Sequence, residues 1–199
     1  MNINIINEKL NKDFISNYFG KQYLYKKEMF ENTSNIMCLD ILNQILGISS
    51  NWNNKNFNMM LDKNQIKYND YSSLSFEQGG SFLRPDAEKV QNWISRGASI
   101  ILNDIDKINS GTINISNQLQ NLTNGRCQGN LYFSMQSRQA FGPHCDTHDV
   151  FAIHFEGEKV WNIYEKIENN PINHPLFKYS DEERIKKAGR IIDQITLKP

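Results

Sequence analysis

The sequence predicts one α+β domain, mostly β, in which N-terminal helices flank a core built of strands. Three observations lead to this class. A length of 199 residues suits one domain with a buried core. Apolar residues recur at helical spacing over residues 8–19 and 36–46, whereas residues 129–135 alternate with a period of two. We expect helices and strands over residues 1–96 and the strand core over residues 97–199.

The charge balance and the cysteines limit the classes of function. Lys plus Arg and Asp plus Glu number 22 each, so no net field attracts nucleic acid or an acidic membrane. No run approaches the roughly 20 apolar residues that cross a bilayer, so we expect neither a nucleic-acid partner nor a membrane partner. Cys38, Cys127 and Cys145 are widely spaced and no apolar signal segment opens the chain, which predicts a reduced, cytoplasmic setting.

Turn and cap residues set the limits of the elements before residue 125. Pro85 or Asp86 can begin a helix that Gly97 ends, and residues 78–81 (QGGS) predict a turn or loop. The continuous apolar run at residues 99–102 predicts a buried strand. In all, we predict helices over residues 8–19, 36–46, 86–96 and 114–124, and strands over residues 22–25, 57–61, 65–68 and 99–102.

The alternation of residues 129–135 gives a strand with one polar and one apolar face. Such a strand fits a barrel whose interior holds a ligand. An ordinary half-solvated strand fits equally well. The polar face carries Asn130, Tyr132 and Ser134, and the apolar face carries Leu131, Phe133 and Met135.

A His-x-Asp pair follows this strand. Residues two apart on an extended segment point to the same side, so His144 and Asp146 can reach one cation while Cys145 faces away. An imidazole and a carboxylate on one side of an ion are two thirds of the ligand set of non-haem Fe(II) oxygenases. A surface salt bridge is the alternative for a pair taken alone.

The surroundings of the pair carry a resemblance. Residues 142–146 read GPHCD, residues 149–151 read DVF, and residues 156–161 read EGEKVW. This pattern resembles the JmjC/cupin-type Fe(II)- and 2-oxoglutarate-dependent oxygenases, most closely their ribosomal-oxygenase branch of protein hydroxylases. The resemblance is clear over residues 97–164 and thinner over residues 14–25.

The resemblance implies a fold, a cofactor and a reaction. The core would be a double-stranded β-helix of the cupin or jelly-roll type. Fe(II) would be held by His144, Asp146 and a later His, while Lys159, fifteen residues after His144, would bind the far carboxylate of 2-oxoglutarate. Asn130, fourteen residues before His144, would contribute to the same site. The implied reaction hydroxylates a side chain of a protein or peptide, ribosomal proteins included, and forms succinate and CO2.

Other polar side chains are weaker candidates. Strand parity and the resemblance place Tyr132 near a substrate, and Ser134 shares its face. His148 and His154 continue the parity of His144 along the strand that should follow it, so either could line the pocket if no bulge intervenes. His174 lies in a Pro-rich loop and is expected to be structural. An exposed strand charge is the alternative for Lys159.

The C-terminal part predicts a helix and a final strand. Residues 180–183 (SDEE) form a capping box that starts a helix to Ala188, and residues 191–197 read as a strand. The family pattern continues past a segment like residues 196–199 (TLKP) into a Gly-Asp turn and the second metal His. We therefore expect a truncated chain whose third metal ligand lies beyond Pro199.

A missing set of strands would leave an open sheet edge, which favours association. A second copy forming a homodimer, a partner chain or the remainder of the protein could cover this edge, and these alternatives stay open. For function, the alternatives are a non-catalytic cupin-like binding module, a hydroxylase of free amino acids or peptide natural products, and a metal-dependent cupin of another chemistry.

Overall fold

The computed structural model describes residues 11–27, 33–135, 141–168, 171, 172, 174 and 179–199. It divides into two compact units, one of residues 39–141 and one of residues 1–38 with 142–199. The helices are α1 (Asn11–Asn17), α2 (Leu39–Leu46), α3 (Ala87–Ser95), α4 (Ser110–Thr123) and α5 (Asp181–Ala188). The strands are β1 (Phe57–Leu61), β2 (Asn64–Gln65), β3 (Ser72–Glu77), β4 (Gly80–Pro85), β5 (Ser99–Leu102), β6 (Leu131–Phe133), β7 (Lys159–Tyr164) and β8 (Ile191–Leu197).

A four-stranded antiparallel sheet forms the core of residues 39–141, in the order β2-β1-β5-β6. All four residues of β5 are buried, as its unbroken apolar run predicts for a strand covered on both faces. Phe57 of β1 pairs with Leu102, and Ile100 of β5 pairs with Phe133. The predicted strands over residues 57–61 and 99–102 are confirmed with their bounds.

Side-chain caps fix the helices of this unit. Asp86 precedes α3, and its carboxylate accepts hydrogen bonds from the backbone N–H groups of Glu88 and Lys89, both at 3.1 Å. Asn109 and Thr112 form a reciprocal capping box at the start of α4. That box begins α4 at Ser110, earlier than the predicted start at residue 114.

The hairpin of β3 and β4 was not predicted. Gly79 and Gly80 have φ angles of +107° and +139°, which only glycine adopts without strain, and they turn the chain between the two strands. The guanidinium of Arg84 donates to both carboxylate oxygens of Glu77, at 2.7 and 2.9 Å, and to the carbonyl of Trp52 at 2.9 Å. This fork fixes the register of two strands that are rich in serine and glycine.

The other unit contains a second antiparallel hairpin and a capped helix. β7 pairs with β8, with a bulge next to Tyr164, and Gly157, shortly before β7, has a left-handed φ of +75°. Ser180 and Glu183 form the predicted capping box of α5. The predicted strand over residues 191–197 is confirmed with its bounds as β8.

Two predicted strands are wrong, and the one predicted over residues 65–68 is largely so, because only Gln65 lies in a strand, at the end of β2, and Tyr68 begins a 3-10 turn. Residues 22–25 belong to no sheet; instead the hydroxyl of Tyr23 donates to Asp193 at 3.0 Å and that of Tyr25 to the carbonyl of Thr196 at 3.4 Å. Residues 146–155 form no ladder with any described strand. Both segments have strand-like sequences, but a strand needs a backbone partner, which local sequence does not specify.

The class of helices with antiparallel sheets is confirmed, whereas the barrel is not. Across the described ranges the strands form three separate sheets and no closed barrel, so the double-stranded β-helix stays a prediction. Residues 8–10 of the first predicted helix and most of the Pro-rich loop before residue 179 lie outside the described residues. None of the helices that the structure describes has the length and apolar content to span a bilayer.

Candidate metal centre

The GPHCD segment, residues 142–146, is an irregular stretch on the surface of its unit. Gly142 and Pro143 are half-buried, while the next three residues are exposed. Further along, the ring of Phe151 lies 5.7 Å from the ring of Phe14, between centroids, and ties the chain after the pair to α1. The segment therefore lies outside any sheet, and the chain after it is anchored to α1 through Phe151.

The imidazole of His144 has a defined orientation. Its Nδ1 lies 2.9 Å from the backbone carbonyl of Gly142, and a carbonyl can only accept, so Nδ1 carries the proton in this contact. In a neutral ring the lone pair is then on Nε2. A backbone acceptor on one ring nitrogen commonly orients the other nitrogen of a metal-binding histidine.

That second nitrogen faces Asp146. The distance from Nε2 of His144 to Oδ1 of Asp146 is 3.9 Å, which is too long for a hydrogen bond between them. Ligands at right angles on one ion, each about 2.1 Å from it, lie about 3 Å apart. The two side chains therefore fit two adjacent positions on one cation after a small rotation.

A third donor does not join this pair within the described part of the chain. No group of three or more His, Cys, Asp or Glu side chains there could hold a metal ion. The side chains of His144 and Asp146 are 46% and 44% exposed, so water can fill the open positions. The pair provides two of the three protein ligands of a 2-His-1-carboxylate site, and a cation held by it alone would bind weakly.

Lys159 opens β7 in the same unit and pairs with Leu197. Trp161 and Ile195 lie on the same face of this hairpin, and Nζ of Lys159 is 5.7 Å from the centroid of the Trp161 ring. The residue as a whole is exposed, yet burial of its end group lowers the pKa of Lys159. An anion would contact only the ammonium group, so the burial of Nζ matters more for anion binding than the exposure of the whole residue. A desolvated ammonium favours an anionic ligand.

The polar face predicted on residues 129–135 exists, and it is exposed. Asn130, Tyr132 and Ser134 belong to the unit of residues 39–141, and Tyr132 is 52% exposed on β6. The ring of Phe141 packs edge-on against Tyr132 with 6.0 Å between centroids. On the other face Leu131 is buried. β6 covers only residues 131–133 of the predicted strand, and Met135, predicted on the apolar face, is 65% exposed. The predicted alternation therefore holds only for residues 130–134, and the described residues enclose no barrel interior.

His154 differs from the other histidines. It is half-buried, and its Nε2 is buried without a hydrogen-bond partner among the described groups. His154 was predicted to line the pocket because it would lie on the same face of a strand as His144. That strand is not formed. His148 and His174 are exposed.

The comparisons with known proteins bear on the same residues. Residues 104–199 match the family model of the JmjC domain. The chain resembles the JmjC oxygenases. A curated relative, the bifunctional lysine-specific demethylase and histidyl-hydroxylase NO66 of Dictyostelium discoideum, is 26% identical over 171 residues. The alignment covers 84% of this chain and 31% of that protein, so the chain spans about a third of the relative's length. No solved structure matches.

The predicted resemblance to the ribosomal-oxygenase branch is confirmed. The stretch that matches the JmjC domain contains His144, Asp146 and Lys159, together with β6, β7, α5 and β8. One neighbour of the GPHCD segment went unnoticed in the sequence, namely Asp181, whose carboxylate lies against Gly142. No periodicity or motif could have revealed a contact between residues so far apart in the chain.

Proposed function

We propose that this chain carries the metal-binding part of an Fe(II)- and 2-oxoglutarate-dependent oxygenase that hydroxylates a side chain of a protein or peptide. The supporting observation is the imidazole of His144, anchored through Nδ1 with its Nε2 turned towards Asp146. A neutral imidazole and a carboxylate are the donors that non-haem Fe(II) takes in this class of enzyme. The match of residues 104–199 to the JmjC domain supports the same assignment.

When bound, Fe(II) and 2-oxoglutarate would supply the oxidation: O2 oxidises 2-oxoglutarate to succinate and CO2, and the second oxygen atom becomes the hydroxyl group of the substrate. The chain's own residues bind and orient these partners. His144 and Asp146 would provide two adjacent donors, one neutral and one anionic. Water or the carboxyl and keto oxygens of the co-substrate would take further positions.

Lys159 is proposed to bind the distal carboxylate of 2-oxoglutarate. Its ammonium is desolvated, and pairing with a carboxylate offsets the cost of removing that charge from water. A charge-assisted hydrogen bond of this kind contributes about 1.5–3 kcal/mol. Asn130 is proposed as a further hydrogen-bond partner of the co-substrate, because an amide can donate to a carboxylate.

A protein side chain is the proposed substrate. The relative's name describes a lysine-specific demethylase and a histidyl-hydroxylase, both of which act on amino-acid side chains. Tyr132 on β6, the exposed Ser134 just after it and the buried Nε2 of His154 are candidates for contacts with it. A hydroxyl group and an imidazole nitrogen can bind the backbone or a polar side chain of a peptide.

The test is to titrate 2-oxoglutarate into the chain with excess Fe(II) under anaerobic conditions and to follow the absorption of the iron-chelate complex. We expect Lys159→Ala to weaken binding of 2-oxoglutarate by at least tenfold, the equivalent of about 1.4 kcal/mol. His144→Ala should remove the absorption by removing a ligand. Lys166→Ala, which removes an exposed lysine of the same unit, is the control and should bind like the wild type.

A non-catalytic binding module is the second candidate. It is favoured by the exposure of both metal-binding side chains and by the lack of a third donor within the described ranges. Succinate release with Fe(II), 2-oxoglutarate and O2 separates the two candidates. Release that is lost in His144→Ala supports the oxygenase, while tight binding of 2-oxoglutarate without any release supports the module.

A further inference from the structure

The contact between Gly142 and α5 is unusually close. A Cβ placed on Gly142 would lie 2.8 Å from Oδ2, 3.0 Å from Cγ and 3.1 Å from Oδ1 of Asp181. The φ of Gly142 is not in the left-handed region, so its backbone conformation would accept any residue. The carboxylate of Asp181, and not the backbone conformation, leaves space for only a hydrogen atom on the Cα of Gly142.

Asp181 is fixed from its own side. It is the first residue of α5, directly after the capping residue Ser180, whose hydroxyl accepts from the N–H of Glu183. Oδ1 of Asp181 also lies 3.9 Å from the guanidinium of Arg184, one turn later. The cap fixes the backbone of Asp181, and the ion pair with Arg184 favours the side-chain rotamer that faces Gly142, although the carboxylate is 44% exposed.

A second contact lies at the other end of α5. The ammonium of Lys187 is 3.8 Å from the centroid of the Tyr179 ring, and the pKa of Lys187 is raised first by its hydrogen bond with Tyr179. This contact holds the side chain of Tyr179, just before α5, against the last turn of the same helix.

The contact between Asp181 and Gly142 is linked to the imidazole of His144 through the carbonyl oxygen of Gly142. The carbonyl of Gly142 is the group that lies 2.9 Å from Nδ1 of His144. A displacement of Gly142 therefore moves the acceptor that orients this ring, and with it the direction of Nε2. Supporting partners of this kind commonly change metal affinity by about 10- to 100-fold when they are lost.

We propose that Asp181 is a positioning residue of the metal site: its carboxylate packs against Gly142 and thereby holds the carbonyl that orients His144. The inference rests on the proposed function in assigning His144 as a metal ligand. It adds a supporting group from α5, in a part of the chain well beyond the His-x-Asp pair, and it gives the glycine of the GPHCD segment a physical reason.

The test is a double-mutant cycle read by Mn(II) binding, followed by electron paramagnetic resonance of the free ion. We expect Gly142→Ala to weaken Mn(II) binding at least fivefold, because its methyl group collides with the carboxylate. Asp181→Ala should cost about threefold through loss of the support. The double variant should bind no more weakly than Asp181→Ala alone, because the collision is gone. Independent effects that multiply, or Gly142→Ala with wild-type affinity, would overturn the proposal.

Two control variants match these changes. Glu182→Ala removes the neighbouring exposed carboxylate of the same helical turn. Gly125→Ala adds a methyl group where the nearest atom would be 3.4 Å away. Both should bind Mn(II) as the wild type does, and thermal unfolding of every variant shows whether a loss of affinity comes from a loss of fold. Rescue in the double variant cannot arise from unfolding.

A metal-free measurement separates this proposal from the proposed function. Long-range 1H–15N spectra of the histidine rings report which nitrogen of His144 carries the proton. We expect the Nδ1–H form in the wild type and in Glu182→Ala, and a loss of that form in Gly142→Ala that is reversed in the double variant. If His144→Ala binds Mn(II) as tightly as the wild type, the assignment of His144 as a metal ligand is wrong. The protonated nitrogen of His144, measured without metal, then tests the role of Asp181 by itself. An unchanged tautomer in Gly142→Ala would refute that role.

Discussion

Residues 39–141 and residues 142–199 are held together in different ways. Nearly the whole apolar core lies in the first region: of the buried apolar side chains described, all but Ile36, Met37 and Ile195 belong to it. The second region consists of a two-stranded hairpin, a capped helix and an irregular segment, and it depends on individual polar contacts. The candidate metal ligands lie in this second region, where single contacts rather than a core determine their geometry.

The comparison predicts its largest effect for a matched pair of isoleucines. Ile100 of β5 is fully buried, whereas Ile192 of β8 is 49% exposed. Ile100→Ala should lower the free energy of unfolding by about 3–4 kcal/mol through lost burial and a cavity. Ile192→Ala should cost about 0.5 kcal/mol. Urea unfolding of both variants measures the difference, and equal losses would remove the distinction between the regions.

Lys159 gives the next effect, in which binding should change while stability does not. Lys159→Met keeps an apolar chain of similar length and removes a desolvated ammonium. We expect at least a tenfold loss of affinity for 2-oxoglutarate with little change in the midpoint of thermal unfolding in the absence of ligands, because the residue as a whole is exposed. A lower midpoint with unchanged affinity would show that this lysine serves the fold and not the co-substrate.

Removal of a helix cap should cost about 1 kcal/mol in either region, with different local results. α3 also buries Val90, while α5 buries none of its residues. Asp86→Ala should leave α3 formed, whereas Ser180→Ala should unravel the first turn of α5. Amide hydrogen exchange of the two helices distinguishes these outcomes, and equal protection of both would contradict the comparison.

The cap of α3 should also depend on pH. Hydrogen bonds, first of all from the backbone N–H of Lys89, lower the pKa of Asp86 below its ordinary value of 3.8. Its stabilisation is therefore complete above pH 3.8 and is lost as the pH falls through the lower pKa of the folded state. The difference in unfolding free energy between the wild type and Asp86→Ala should shrink over that interval.

The smallest effect is a gain in stability. The turn between β1 and β2 has positive φ angles at two residues other than glycine, +47° at Asp62 and +66° at Lys63. Left-handed backbone is strained for residues with a Cβ. Lys63→Gly should raise the free energy of unfolding by up to about 1 kcal/mol. Such a gain appears in global unfolding only if the turn belongs to a cooperatively folded region. An unchanged free energy of unfolding in Lys63→Gly would therefore argue against a cooperative core in residues 39–141.

Elements with local signals were predictable from the sequence. Residues 57–61, 99–102 and 191–197 carry apolar or β-branched runs, and α5 has its capping box at residues 180–183, so these appear as expected. The pairing of β3 with β4 was not predictable, because it depends on the fork between Arg84 and Glu77 across the hairpin rather than on apolar alternation.

The candidate site shows the same division. The spacing of His144 and Asp146 predicted that they approach one another, and the structure places their nearest ring nitrogen and carboxylate oxygen 3.9 Å apart. The roles of these residues and of Lys159 stay predictions that the binding experiments test. The strand expected after Asp146 is not formed, since nothing in its own residues specifies a partner.

The space around Gly142 has a consequence for related sequences. Because the carboxylate of Asp181 fills the volume that a side chain at position 142 would need, the two positions should covary. Relatives with a larger residue at the position of Gly142 should carry alanine or glycine at the position of Asp181. Selection would then act on the two positions as a pair, and a change at the start of α5 would decide which residues the metal-binding segment can accept.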